Sequence, residues 1–411
     1  GLLTGSAGGS AGSSYVSVTS SGGSSTSAIL VSGGATALGG DIYVYSGGVT
    51  LGALLQGSGS EQMAWFGGSA ASTTVQSGGY LYVYSAGNAI ATTVQSGGYE
   101  LVWGSGSVAR NATVQSAGYE EIYQGATASN TTVQFGGWQL VWDSGTVASG
   151  TLVQSGGLMQ VHNGGLVSGV TVLSGGLEVV WTDGTASGTT VNGGSEHVGA
   201  SGTATGTTVN SGGFQYGYGN TINTVINTAG SGVTFSGGLF ASGQINAGGT
   251  YHVVAGGVAS AMTVNGFGAQ AFVWSGGTVQ GATLNGGYLE ILSGGVASGS
   301  TVTFGTSGGT LKLDDSVNMS GLSISGLTPT AGAIDFGDIG YAAGVTSASW
   351  TQGAGSGTLT LTSGALQASI ALFGTYVASS FKLQSDGAAG TLVTDPAAGT
   401  NSQNLLTQPH V

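Results

Sequence analysis

Apolar and polar positions alternate in short runs along this chain, and the runs return at a nearly fixed interval of 18 to 20 residues. In the unit that begins at Thr92, the run Thr92-Thr-Val-Gln95 sets Val94 on one face and Thr93 and Gln95 on the other. Ser96-Gly97-Gly98 then turns the chain, because glycine takes positive φ at no steric cost. Tyr99-Glu-Leu-Val-Trp103 is a second strand, Gly104-Ser-Gly106 a second turn, and Val108 opens a third run. β-branched residues are frequent and glycine interrupts every few positions, so nothing favours helix. The phrase Thr-Thr-Val-Gln-Ser-Gly-Gly, or a close variant, ends at Gly79, Gly98, Gly118, Gly137, Gly157, Gly176, Gly194 and Gly213; Ala117 replaces a glycine in the third copy.

One such unit cannot bury its apolar face alone, so copies must stack. The predicted fold is all-β: a parallel β-solenoid (β-helix) of 18–20-residue repeats with a β-rich C-terminal cap. About 12 to 14 coils spaced roughly 4.8 Å apart would make a rod of roughly 60 to 70 Å. Stacking turns equivalent positions into ladders. Val83, Val102, Ile122, Val141, Val161, Val180 and Val198 form the predicted buried one. One residue further on, Tyr45, Trp65, Tyr84, Trp103, Tyr123, Trp142, His162, Trp181, Tyr218 and Trp274 fall on the opposite face, as a candidate interaction ladder. The register slips between about 218 and 250 and resumes at Val264, Leu284 and Val302. The predicted organisation is a degenerate N-terminal cap with the first coils in 1–50, where Leu30-Val-Ser-Gly-Gly34 is a weak copy. Solenoid repeats follow in 51–309, the β-rich cap in 310–395, and in 396–411 a polar tail suited to a secretion signal or a docking segment.

Composition narrows the function classes. Glycine supplies 85 of the 411 residues, yet there is no Gly-X-Y period and only three prolines, which excludes collagen. Periodic apolar residues exclude a flexible linker. The net charge is −13, and Arg110, Lys312 and Lys382 are the only Lys or Arg side chains. Nucleic-acid binding and polybasic membrane contact need several such cations and are excluded. Zero cysteines rule out disulfides and thiolate metal sites. No stretch approaches the roughly 20 apolar residues of a membrane helix, so no transmembrane segment is expected. The first residues, Gly-Leu-Leu-Thr-Gly, lack the basic and apolar regions of a signal peptide, one having been either removed or never used.

The repeated phrase, followed by an aromatic, resembles the AIDA-type passenger repeats of autotransporter adhesins over roughly residues 27 to 303. The resemblance implies a β-helical surface protein engaged in adhesion or self-association, in some members glycosylated on Ser or Thr. Residues 310 to 411 cannot supply the strands of a membrane barrel. Ile334-Asp-Phe-Gly-Asp-Ile339, the stretch from Ala371 through Gly390-Thr-Leu-Val-Thr-Asp-Pro396, and the final Leu405-Leu-Thr-Gln-Pro-His-Val411 are instead similar to type I-secreted proteobacterial surface proteins. The two resemblances together imply a secreted extracellular or cell-surface protein without its own anchor.

Glu100, Glu120, Glu178 and Glu196 share one repeat position, which Gln139, Met159 and Gln215 fill in other copies. Stacked carboxylates repel unless a cation bridges them, so the row reads as a Ca²⁺ ladder, a glycan-contacting row, or a solvated edge that blunts aggregation. Asp314, Asp315, Asp335 and Asp338 are weak Ca²⁺ candidates in cap loops, with turn roles as the competing reading. No cofactor beyond Ca²⁺ is indicated. The acids repeat instead of converging, His162, His197 and His252 are dispersed, and no serine sits in a nucleophile-elbow context, so no enzyme is expected. The leading expectation is a structural or adhesive protein that self-associates through its ladders into a surface layer, filament or biofilm matrix. A carbohydrate-binding adhesin using the aromatic row is the alternative, and a polysaccharide-active β-helix enzyme or phage-type spike the second.

Overall fold

The computed structural model describes residues 15–18, 29–32, 36–297, 299–319, 321–328 and 331–395. It is a parallel β-solenoid of about 15 coils, with almost no helix. Each repeat contributes a long strand such as Tyr99–Trp103 to one sheet, then two shorter strands such as Val108–Arg110 and Thr113–Val114 to the other. Equivalent strands of successive coils pair in parallel and in register, Tyr80 with Tyr99 and Tyr99 with Tyr119. The chain divides into two units, Gly1–Thr205 and Gly206–Val411, each with this construction.

Strand alternation decides what fills the interior. The predicted ladder from Val83 to Val198 is fully buried, as are Val75, Val94, Val114, Val133, Val153, Val172 and Val191 on the shortest strands. Between them run an alanine ladder (Ala70, Ala89, Ala109, Ala128, Ala148) and a threonine ladder (Thr73, Thr92, Thr131, Thr151, Thr189). Small side chains there let two sheets approach across a narrow core, where each buried valine contributes roughly 1.5–3 kcal/mol.

The Ser-Gly-Gly turn has two separate causes. Gly97 has φ +71°, a left-handed conformation, and in the next coil Ala117 holds φ 53° in its place. Gly98 needs its missing side chain for another reason: a Cβ there would lie 2.5 Å from the carbonyl oxygen of Val75, one coil back. The phrase is thus a backbone specification, with one glycine for conformation and one for clearance.

The register expected to slip between 218 and 250 does not slip. Phe214–Gly217, Ser231–Thr234 and Thr250–Val253 pair in parallel like any other coils. What changes is the filling. Tyr251 points inward, stacks on Phe240 with centroids 3.9 Å apart, and shares a 2.6 Å hydrogen bond with Thr234. Gly232 makes room, since a Cβ on it would meet the Tyr251 ring at 2.5 Å.

Parallel pairing also runs past the expected boundary at 309. Thr310–Leu313 and Ala333–Phe336 are two further rungs of the long-strand sheet, because Thr-Leu-Lys-Leu and Ala-Ile-Asp-Phe keep the alternation after the glycine turns are lost. Antiparallel strands follow: a meander Ser347–Gln352, Ser356–Ser363, Leu366–Phe373, and a hairpin Lys382–Ser385, Thr391–Thr394. Most of the expected N-terminal cap and all of 396–411 lie outside the described residues, although Tyr15–Val18 already pairs in parallel with Asp41–Val44.

Candidate binding face and buried carboxylates

In the unit Gly1–Thr205 the long strands present three outward columns. The last outward position of each strand carries the predicted interaction ladder, and its rings touch in unbroken succession. Centroids of Tyr45, Trp65, Tyr84, Trp103, Tyr123, Trp142, His162 and Trp181 follow one another at 6.5, 5.7, 6.3, 5.9, 6.4, 4.0 and 6.0 Å. Each ring covers its neighbours, so most are half-buried, while Trp103 and Trp181 are each 44 % exposed. The first outward position carries a second array that the sequence reading missed: Tyr80, Tyr99, Tyr119 and Trp138, at 5.1, 5.0 and 5.9 Å. Its signal was the aromatic directly after Gly79, Gly98, Gly118 and Gly137. Between the two arrays, Met63, Leu140 and Val179 point outward yet are buried. The face is therefore two rails of rings over a mixed column, in which Leu101, Leu140 and Val179 alternate with Glu121, Gln160 and His197. Polar groups border the rings. Tyr43 donates to Asp41 at 3.1 Å, Trp103 Nε1 to Gln124 at 2.6 Å, and Tyr123 to Glu121, while His162 meets Gln160 at 3.1 Å.

In the unit Gly206–Val411 the ladder residues occupy the same outward position but the rows are shorter. Tyr218 stacks on Phe235 at 4.4 Å, and Trp274 Nε1 donates to His252 Nδ1 at 3.0 Å. This unit also carries an asparagine ladder: Asn227 donates to Asn210, Asn246 to Asn227, Asn265 to Asn246 and Asn285 to Asn265, at 2.8, 2.9, 3.4 and 3.0 Å.

The acidic row is neither a solvated edge nor a glycan or Ca²⁺ row on the surface. Glu100, Glu120, Glu178 and Glu196 are all fully buried inside the solenoid. Parity explains this: Glu100 precedes Val102 by two residues, and alternation assigns both to one face. Thr92 Oγ1 donates to Glu100 at 3.0 Å, Thr131 Oγ1 to Glu120 at 3.3 Å, and Gln139 Nε2 to Glu120 at 2.8 Å. Thr92 and Thr131 thus serve the Glu100 and Glu120 carboxyls from the facing wall. Burial pushes the Glu120 carboxyl up to about 7. Burial first, and then the Glu120 charge beside it, holds Glu100 well above the ordinary carboxylate range; burial and Glu196 do the same to Glu178. These groups hold protons under conditions where surface carboxylates have lost theirs.

The four aspartates singled out as Ca²⁺ candidates are dispersed among local partners. Lys312 Nζ bridges Glu290 at 2.7 Å and Asp314 at 3.0 Å. Asp315 accepts from Asn318 at 2.7 Å; Asp338 accepts from the Ser316 hydroxyl and, at 3.2 Å, from the Val317 amide. Asp335 is not in a loop but in the strand Ala333–Phe336, buried and pushed up to about 7 by burial and by the Asp386 charge. Among the described residues, no three or more His, Asp or Glu side chains gather in metal-binding fashion.

No protein-family model and no curated protein matches this chain. A solved structure does: a TibC-catalysed, hyper-glycosylated fragment of TibA, at 32% identity and a TM-score of 0.57, over 68% of this chain and 94% of the TibA chain. The chain belongs to the AIDA-type passenger-repeat family. Membership accounts for the repeat period, the glycine turn and the inward valines together, since all three specify one coil geometry. The match to this AIDA-type passenger carries no support for the type I resemblance of the C-terminal region. No helix among the described residues is long and apolar enough to cross a membrane.

Proposed function

We propose that this AIDA-type passenger is an adhesive protein of the bacterial surface or extracellular space, and that it holds neutral glycan chains on the aromatic face of Gly1–Thr205. The observation that carries this reading is the eight-ring ladder with its parallel tyrosine and tryptophan rail. Rings at coil spacing offer stacking surfaces for the apolar C–H faces of successive sugar rings, and the bordering Gln124, Gln160 and Glu121 offer hydrogen-bonding groups to hydroxyls. A contiguous exposed array of this kind marks an interaction surface. Asp41, Glu61 and Glu121 flank the rings, and Arg110, on the other sheet, is the only Lys or Arg in this unit. Acidic polysaccharides are therefore disfavoured, and neutral chains fit.

Binding of a neutral polysaccharide panel to the whole chain, measured by array and by titration calorimetry, tests the reading. Trp103→Ala with Trp142→Ala should abolish binding, and Trp350→Ala in the meander should leave it unchanged. Equal binding by the double variant and the parent would remove the aromatic face from the mechanism. Export by a type I route, implied by the C-terminal sequence, is the accompanying proposal: residues 334–411 fused to a passive reporter should be exported only when such a transporter is present.

A further inference from the structure

We infer that two copies of this chain pair through the free edge of the C-terminal meander, strand Ser347–Gln352 against its own equivalent, about a two-fold axis. The inference goes beyond the glycan-holding reading and stands whether or not that reading holds.

Every solenoid strand from Asp41 to Phe336 is sandwiched between coils or covered by the strands that follow. Among the described residues after Phe336, two strands are paired on one side only. One is Lys382–Ser385, which pairs with Thr391–Thr394; it carries Lys382 and runs into Asp386. Charged side chains on an edge are the usual device against intermolecular pairing. The other is Ser347–Gln352, which pairs with Ser356–Ser363 alone. It has six residues, no charge and no proline. From Ile339 to Phe381, across the whole meander, no Asp, Glu, Lys, Arg or His occurs.

The edge is also held in place. Trp350 packs on Tyr376 and Phe381 with centroids at 5.2 and 6.1 Å, and its Nε1 donates to Gln352 at 3.0 Å. The Gln352 amide in turn donates to the carbonyl of Gly353 at 2.8 Å and to those of Ser356 and Gly374 at 3.2 Å. Tyr376 is fixed by its hydroxyl donating to the Leu327 carbonyl at 3.0 Å. A pre-ordered strand with open backbone donors and acceptors loses little entropy on pairing.

Charge selects the occupant. Two copies each carrying −13 repel, and they can approach only where no charge is brought together. An uncharged strand that is antiparallel to its own copy satisfies this and is self-complementary, residue 347 facing the far end of the partner strand. The two meanders are then joined edge to edge in one continuous sheet, which in each copy runs on through Leu366–Phe373 to the solenoid strand Ser323–Ser325. An isologous contact closes at two copies, so this edge yields a dimer and no filament. A single strand pair lies at the small end of specific interfaces, so the dimer forms in a concentration-dependent way.

Sedimentation velocity of the full chain tests this. A monomer-to-dimer shift with rising concentration is expected, strengthening as salt is added, because salt screens the repulsion and there is no ion pair at the contact to weaken. Ser349→Lys, at an exposed position, should abolish the shift while circular dichroism and the thermal midpoint stay put. Gln367→Lys, on the exposed face of the third meander strand, should leave the dimer intact. Trp103→Ala with Trp142→Ala should still dimerise, and Ser349→Lys should still bind any glycan the parent binds, so the two readings fail separately. The inference is overturned if the parent stays monomeric at all concentrations, if the Ser349→Lys protein still dimerises, if salt dissolves the dimer, or if dimers appear only after removal of residues 396–411, which would make that segment the occupant of the edge.

Discussion

Replacing Glu120 by Gln should flatten the pH dependence of stability. Glu120 is fully buried and its carboxyl sits at about 7, against 4.5 for an ordinary glutamate. A raised acid constant means that the folded state binds more protons than the unfolded one between those values. Its stabilising contribution is complete below about pH 4.5 and is lost as pH rises through about 7. The gap of about 2.5 units corresponds to about 3 kcal/mol, at roughly 1.4 kcal/mol per unit. Glu100 adds loss of the same sign, since burial and the Glu120 charge raise it also. In the Glu120→Gln protein the first loss vanishes. The second shrinks, because an amide replaces the neighbouring charge and its NH₂ can donate to Glu100 Oε2, which has no hydrogen-bond partner. At pH 5 the substitution should be close to neutral, as Gln62 and Gln139 already occupy the same register position in other coils.

The assay is urea unfolding followed by tryptophan fluorescence at pH 5 and pH 8. Trp103 and Trp142 lie one coil either side of Tyr123 on the Glu120 strand, so the signal reports this segment. The parent should lose about 3 kcal/mol or more from this column on going to pH 8, and the variant should recover about that amount at pH 8. His162, His197 and His252 are lowered by burial and act with opposite sign, favouring the folded state as pH rises through the ordinary histidine range; comparing parent with variant cancels them. Equal pH dependence in the two proteins would refute the claim that the buried column holds protons.

Gly98→Ala should lower stability by about 1–3 kcal/mol, because its Cβ must displace the Val75 carbonyl, whereas Gly97→Ala should cost only about 1 kcal/mol, the conformation that Ala117 already accepts; urea midpoints of the two variants decide. Asn246→Ala removes two rungs of the asparagine ladder and should cost about 1–2 kcal/mol by the same assay, with no effect on glycan binding.

How much of this was legible in the sequence depended on whether a residue's chemistry agreed with its parity. Val102 and Trp103 are adjacent, differ in parity and differ in polarity in the expected sense, so both ladders could be read directly. Glu100 shares the parity of Val102, yet its charge suggested solvent. The contradiction dissolves only when Thr92 and Gln139 are seen across the core and across the coil boundary, contacts that no linear pattern encodes. The packing of Tyr251 was hidden in the same way, because the gap at Gly232 that admits its ring lies 19 residues earlier, one coil back. The end of the glycine phrase near Thr310 marked a change in turn chemistry, and the strands went on alternating for two more rungs. The free edge at Ser347–Gln352 was out of reach of the sequence for a different reason. A strand becomes an edge by what fails to pair with it, which depends on every other strand in the sheet. What the sequence did contain was the absence of charge from Ile339 to Phe381 in a chain of net charge −13, and that absence becomes informative only once the strand inside it is known to be open.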